Sequence, residues 1–251
     1  MAAPELSLVF PVFDEEENVG PLLASAVALG RRLGKSFEII VVDDGSRDES
    51  ARRIAAACAL HPEITSVQHS SNRGYGAALR SGLREARGAF VFFSDADLQF
   101  DLAELEALLA HTASFDVVAG VRTPRRDPWG RRLLAFGWGT LVSALFDLSV
   151  RDIDCAFKLF RREVLDAIPI ASLGALVNTE ILVRARAAGF RIRQVPVTHH
   201  PRRAGRAKGA TPRVIVRALV ELATLYRELR ATSRGAAPDG NGALPARSSP
   251  P

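Results

Sequence analysis

The segment AFVFFSDADLQ, residues 89–99, is an uninterrupted apolar run that stops abruptly on a pair of aspartates. An apolar run this short, closed by turn residues, reads as a strand buried on both faces. The same pattern recurs in LSLVF (6–10) before Pro11 and in FEIIVV (37–42) before Asp43, Asp44, Gly45 and Ser46. Helical periodicity separates the runs, over residues 19–33, 49–60 and 75–87. Strands alternating with helices predict βαβ units around a mostly parallel sheet flanked by helices, an α/β fold. Downstream the pattern predicts a strand at 115–119, an apolar helix at 131–148, a helix at 178–188 and an edge strand at 191–197 containing Pro196. A basic amphipathic helix at 211–229 follows, with Pro212 near its start, where proline is favoured.

The chain has 251 residues, 47% of them hydrophobic, enough for one large domain with a substantial core. Residues 1–230 are expected to form that domain and the Ser, Gly, Pro and Ala-rich residues 231–251 a disordered tail. The formal charge is +5, with acids concentrated in the first half and bases in the second. That asymmetry points to an anionic partner or a solvated basic face. The two cysteines, Cys58 and Cys155, form no CxxC or His-Cys cluster, so neither a disulfide framework nor a zinc site is indicated and a cytoplasmic setting is expected. The first residues lack the basic and apolar regions of a secretory signal. No uncharged apolar run reaches the roughly 18–20 residues that span a bilayer.

In such a sheet, ligands bind beyond the carboxyl ends of the strands. Carboxylates fall there repeatedly: Asp14 and Glu15, Asp43 and Asp44, Asp95 and Asp97. Any one cluster alone is as well explained by a helix cap or turn. Asp152 and Asp154 repeat the spacing of Asp95 and Asp97, so the spacing itself carries little. Only Asp95 and Asp97 follow an apolar strand directly. If that strand stays extended through Asp97, both carboxylates point to one side. Oxygen ligands of this kind suit Mg²⁺ or Mn²⁺, completed by substrate phosphates and water, with Gln99 offering an amide oxygen. Asp152 and Asp154 read as organisers of a turn or as contacts behind the site. The loop at residues 72–82 brings glycines to a helix start, where backbone could approach an anion, or Tyr75, Ala78 and Leu79 could face the core. It lacks the third glycine of a dinucleotide fingerprint, and no P-loop is present.

PVFDEEENV (11–19), VVDDGSRDES (41–50), NRGYGAALRSG (72–82) and DADLQ (95–99), in this order and spacing, resemble family 2 glycosyltransferases of the GT-A fold. Within that family the chain is most similar to the dolichol- or polyprenol-phosphate mannose synthases and their glucosyl relatives. The likeness continues through DVVAGVRT (116–123), DIDCAFKLFRREVL (152–165), NTEILVRARAAGF (178–190) and HPRRAGRAKG (200–209), and so covers roughly residues 6–229. It implies that Pro11, Phe13, Glu15 and Asp43 shape a nucleoside pocket. It implies that Asp95, Asp97 and Gln99 hold Mg²⁺ or Mn²⁺ against the donor diphosphate, with Asp97 central to catalysis. The family's R-x-x-G-x-S-K segment, which closes over the donor phosphates, reads here Arg202-Arg203-Ala204-Gly205-Arg206-Ala207-Lys208. Alanine replaces the serine, while Arg202 and Lys208 keep the charges. The resemblance also makes Arg131 an acceptor-phosphate contact and places Asp154 and Lys158 near sugar and acceptor.

The implied activity is inverting transfer of mannose or glucose from a GDP- or UDP-hexose to a polyprenyl phosphate. A hydroxyl acceptor needs a general base, whereas an anionic phosphate does not. No Glu-Asp pair occurs at Glu180, which favours the phosphate. Arg122, Arg125, Arg126, Arg131 and Arg132 precede an apolar stretch containing Trp138, an arrangement that suits a polyisoprenoid phosphate at a peripheral membrane surface, with room for a separate membrane-anchoring partner, or else an ordinary core helix. The alternatives are transfer to a saccharide or natural-product hydroxyl, with Glu180 or Asp154 as base, and a basic protein binding membrane or nucleic acid through residues 202–217. No aromatic residues interleave that stretch, so nucleic acid is not expected as a partner.

Overall fold

The computed structural model describes residues 3–123, 129–202 and 212–235, with the backbone alone at 130–132, 212–215 and 232–235. One sheet contains β1 (Leu6–Val12), β2 (Phe37–Asp43), β3 (Ile64–Gln68), β4 (Phe90–Ser94), β5 (Val117–Arg122), β6 (Phe157–Arg161) and β7 (Ile192–Val197), in the order β3-β2-β1-β4-β6-β5-β7. β6 runs antiparallel to β4 and β5, and the other pairings are parallel. The α/β architecture with a mostly parallel sheet is therefore the one expected, and β7 is the edge strand anticipated at 191–197.

The helices are α1 (Glu16–Arg32), α2 (Ser50–Leu60), α3 (Tyr75–Glu85), α4 (Leu105–Leu109), α5 (Trp129–Phe146), α6 (Arg162–Ala167), α7 (Val177–Ala187) and α8 (Pro212–Gly235). Helix α8 continues past Ala231, where a disordered tail was expected to begin, and residues 236–251 lie outside the described ones. Among the described residues no helix is long and apolar enough to cross a membrane.

Alternation along the strands divides the core between the two faces of the sheet. Leu6, Leu8 and Phe10 meet Val19, Leu22 and Leu23 of α1 and Leu105 and Leu108 of α4. Val9, Val91 and Phe93 face Leu79 and Leu83 of α3, Ile181 of α7 and Leu222 of α8. Each such aliphatic side chain, fully buried, contributes about 1.5–3 kcal/mol. Phe92 meets Phe157 edge-on with ring centroids 4.7 Å apart, a contact that helps pin β6 against β4.

The chain runs from β1 outward through β2 and β3, then returns on the other side of β1 to form β4. The carboxyl ends of β1 and β4 therefore border the crevice at the point where the strand order reverses, the usual ligand position in such sheets. The loops after β1, β2, β4, β5 and β7, and the loop before β6, all open on this one edge.

Candidate active site

The turns after β1 and β2 are stitched to each other. Asp14, at a positive φ of 51°, accepts a hydrogen bond from Arg47 N (2.9 Å), while its own N–H donates to Ser46 Oγ (3.0 Å). Glu15 N donates to Ser50 Oγ (2.9 Å) and Glu16 N to Asp48 Oδ2 (3.0 Å). Asp43 accepts from Ser46 N (2.9 Å) and from Gln68 Nε2 (3.3 Å) and is buried, as is Pro11. Asp14 and Asp43 thus hold the two turns together through turn chemistry. Phe13 and Glu15, half-buried, lie at the end of β1 beside them.

Asp44 has another task. Its carboxylate accepts Arg73 N (2.9 Å) and Gly74 N (2.8 Å), and its Oδ1 lies 2.6 Å from His69 Nδ1. The far side of that imidazole meets Ser81 Oγ at 2.9 Å. Asp44 is therefore the anchor for the start of α3. The N–H groups of Gly76 and Ala77 there donate to Leu173 O at 3.0 and 3.3 Å. A Cβ at Gly76 would sit 2.6 Å from Ser172 O and 2.7 Å from Gly174 O. The glycines admit the protein's own loop 172–174, so the helix start is not the anion site its sequence suggested. Ala78 and Leu79 face the core as one reading had it.

β4 ends at Ser94, and the chain bends through Asp95, Ala96 and Asp97 before Leu98 at φ 58°. The extended path expected through Asp97 is absent; the bend brings the two carboxylates into mutual repulsion instead. Burial, then the charge of Asp97, push Asp95 up to about 7. Asp95 Oδ1, Ser94 Oγ and the Tyr75 hydroxyl are buried without a hydrogen-bond partner among the described residues. Buried orphan polar atoms around a paired carboxylate mark a site built for an exogenous group. A divalent cation fits: its charge relieves the repulsion, and Asp95 offers an uncommitted oxygen. Among the described residues no set of three or more His, Cys, Asp or Glu could hold a metal unaided. Mg²⁺-type ions bind through one or two carboxylates plus substrate phosphates, and Asp95 and Asp97 are such a pair.

Arg202, just beyond β7, joins the first and fourth strand ends. Its Nη2 pairs with Glu15 Oε1 and lies 3.8 Å from Asp97 Oδ2, while Asn18 Nδ2 holds the other Glu15 oxygen at 2.6 Å. The structure thus gathers Pro11, Phe13, Glu15, Asp43, Asp95, Asp97 and Arg202 at one edge. Gln99 has a structural role whose bonds do not use the amide oxygen expected as a ligand. Its Nε2 donates to His200 O (2.9 Å) and its backbone O accepts His200 N (2.8 Å), so it latches the loop after β4 to the segment after β7. Lys208 lies outside the described residues, and for Arg131 only the backbone is described, in the first turn of α5.

The loop before β6 completes the wall. Asp152 pairs in a bidentate way with Arg122 at 2.8 and 2.7 Å, the turn-organising role expected of it. Lys158, fully buried, donates to Ile153 O (3.0 Å), to Cys155 O and to Asn178 Oδ1 (2.9 Å). Its three donors meet protein oxygens, and burial holds its ammonium below the usual lysine value. Glu180 is buried and accepts Ala171 N, Ser172 N and Arg184 Nε, which fixes the loop against α3 and leaves it poorly placed to act as a base. Asp154 is exposed. Burial pushes the Cys155 thiol up to about 12, which keeps it inert. The hydroxyl of Tyr75 is the group at the site that sequence reasoning overlooked; its signal was a phenol directly after Gly74 at the active edge.

Residues 7–168 match the family model for Glycosyl transferase family 2, and the chain belongs to that family. The whole fold is similar to solved structures. A mycobacterial protein of unspecified activity shares 26% identity at a TM-score of 0.66, covering 94% of this chain and 76% of the other. Glucosyl-3-phosphoglycerate synthase from Mycobacterium tuberculosis, in complex with Mg²⁺ and uridine diphosphate, gives 23% identity and a TM-score of 0.64 over 94% and 81% of the chains. The same synthase with Mn²⁺, UDP-glucose and glycerol 3-phosphate gives 22% and 0.63 over 94% and 82%. The glycosyltransferase family expected from the ordered motifs is thereby established, whereas these named neighbours are not polyprenol-phosphate mannose synthases.

Proposed function

We propose that this chain is an inverting glycosyltransferase that moves a hexose from a nucleoside diphosphate sugar, with Mg²⁺ or Mn²⁺ at Asp95 and Asp97, onto the phosphate of a polyprenyl phosphate. The observation that carries the donor half is the buried, unpartnered Asp95 oxygen beside Asp97 at the β1–β4 crevice. A divalent cation there would stabilise charge gathering on the leaving diphosphate. Arg202, already among Glu15 and Asp97, supplies a second positive group for the phosphates. Pro11, Phe13 and Asp43 line the nucleoside side, and Lys208 and Arg131 are assigned to donor and acceptor phosphates by their place in the motifs.

Two features support a lipid phosphate as acceptor. Glu180 is committed to structural bonds and is not poised as the base a hydroxyl would need, which leaves the exposed Asp154 as the one carboxylate that the hydroxyl reading could use. The first half of α5 also turns apolar side chains outward: Trp129 is 81% and Phe136 73% exposed, and Leu133 and Leu134 lie beside them. α8 adds exposed Val216, Leu219 and Val220. Both helices follow segments that leave the active edge, after Thr123 and after Arg202. Such an apolar surface, with arginines at 125, 126, 131 and 132 close by in the sequence, suits an isoprenoid tail at a membrane interface.

A second reading, transfer to a small phosphorylated acid or glycerol phosphate, is favoured by the ligands in the similar synthase structures. Purified protein would be incubated with UDP-glucose or GDP-mannose, Mn²⁺, and either a short polyprenyl phosphate or 3-phosphoglycerate. Glycosylated polyprenyl phosphate is the expected product. Product from phosphoglycerate alone would establish the second reading, and product only from a neutral hydroxyl acceptor would reject both.

A further inference from the structure

Tyr75 opens α3, with its ring packed on the core cluster of α3 and α7 and its hydroxyl against the carboxyl of Asp95 and the amide of Asn178. The hydroxyl makes no hydrogen bond of normal geometry, and neither does Asp95 Oδ1, although both are buried. A buried donor and a buried acceptor that interact electrostatically are thus left without a hydrogen bond of normal geometry. The backbone that places the phenol is itself strongly fixed. Asp44 takes the N–H groups of Arg73 and Gly74, and Leu173 O takes those of Gly76 and Ala77. The loop carrying Leu173 is tied down in turn by Glu180. Such anchoring on both sides of one residue exceeds what a core aromatic needs.

We infer that Tyr75 is the positioning residue for Asp95: its O–H donates to Oδ1 and turns the remaining carboxylate lone pairs toward the divalent cation. Groups of this kind fix the orientation of a metal-binding side chain and raise its affinity without touching the ion. Lys158 Nζ donates to the Asn178 amide oxygen at 2.9 Å, so that oxygen is engaged and the phenol proton is left for Asp95. The inference rests on the metal-dependent reading above.

The test is Mn²⁺ titration, followed by electron paramagnetic resonance in the presence of UDP, of the wild-type chain and of Tyr75→Phe, which keeps the ring. The variant is expected to bind Mn²⁺ roughly tenfold more weakly while melting at the wild-type temperature without metal. Equal affinities would overturn this inference alone; a wild-type chain that binds no Mn²⁺ with UDP would overturn the metal-dependent reading along with it. A second measurement does not depend on the variant folding. The chain has two tyrosines, Tyr75 and Tyr226, so 3-fluorotyrosine labelling gives two ¹⁹F signals, assigned with Tyr226→Phe. The Tyr75 signal should shift when Mg²⁺ and UDP are added, and an unmoved signal would overturn the assignment.

Discussion

Arg202 Nη2 lies 3.8 Å from Asp97 Oδ2 while the same nitrogen pairs with Glu15. A guanidinium therefore stands beside a carboxylate assigned to the divalent cation. Like charges compete for such a position, but a donor diphosphate can accept both. Arg202→Ala is accordingly expected to act in opposite directions on two equilibria. Mn²⁺ alone should bind at least as tightly as to wild type, because a competing cation is gone. UDP-Mn²⁺ should bind about tenfold more weakly, as expected for loss of a charge-assisted hydrogen bond of roughly 1.5–3 kcal/mol. Calorimetric titrations with and without UDP separate the two, and weaker binding of the bare ion would contradict the arrangement.

Asp95 makes the site costly to the fold. Burial first, and Asp97 second, raise it from the ordinary 3.8 to about 7. The folded state then holds its proton more tightly than the unfolded chain does. Between about pH 4 and 7 the unfolded chain is deprotonated while the folded one is still protonated, so metal-free stability falls as pH rises through this window. Asp95→Asn is expected to raise the melting temperature at pH 8 and change it little at pH 3.5, while abolishing metal-dependent transfer. A melting series over pH for both proteins, without divalent ions, checks it; parallel curves would be inconsistent with the buried repulsion.

Legibility in the sequence followed burial. β1, β2 and β4 are apolar on both faces and stand out as continuous runs. β3 carries Ile64 inward but is largely exposed, so ITSVQ has no such signal. β6 is concealed for the opposite reason: FKLFR is buried, yet Lys158 interrupts its apolar pattern while satisfying carbonyls inside the protein. The clustering of carboxylates at strand ends was also readable, but their division of labour was not. Asp14 and Asp44 share the residue type and setting of Asp95, and only the partners in space reveal that they hold turns. The bend at Asp95 and the Tyr75 hydroxyl beneath it depend on contacts across 20 residues of chain or more, which no local spacing encodes.

Glu38 provides a control at the opposite edge of the sheet. Its carboxylate accepts Ser7 Oγ (2.7 Å), Arg87 N (2.6 Å) and Arg87 Nη2 (2.8 Å). Burial would raise its value, but the bonds from Ser7 and Arg87 outweigh it and hold it below the usual 4.5. Here the folded chain binds the proton less tightly than the unfolded one. The contribution is present above about pH 4.5 and is lost as pH falls through the lower folded value, the reverse of Asp95. Glu38→Ala should destabilise by about 1–3 kcal/mol at pH 7 by leaving buried donors unpaired, and by less at pH 3, with metal binding unchanged. Urea titrations at both pH values measure the difference.

The exposed face of α5 separates the two acceptor readings by mutation. Trp129, Leu133 and Phe136 follow one another at helical spacing and add little to the fold where they stand in solvent. Replacing Trp129 and Phe136 together with serine should leave the unfolding free energy within about 0.5 kcal/mol of wild type. If the face receives an isoprenoid tail, each lost aromatic contact removes roughly 1.5–3 kcal/mol of apolar burial. The KM for a long-chain polyprenyl phosphate in vesicles should then rise tenfold or more, while UDP-Mn²⁺ affinity stays constant because Asp95, Asp97 and Arg202 are untouched. Unchanged kinetics on the lipid acceptor would remove this face from the acceptor site and shift the weight to a small phosphorylated acceptor reached only from the β1–β4 crevice.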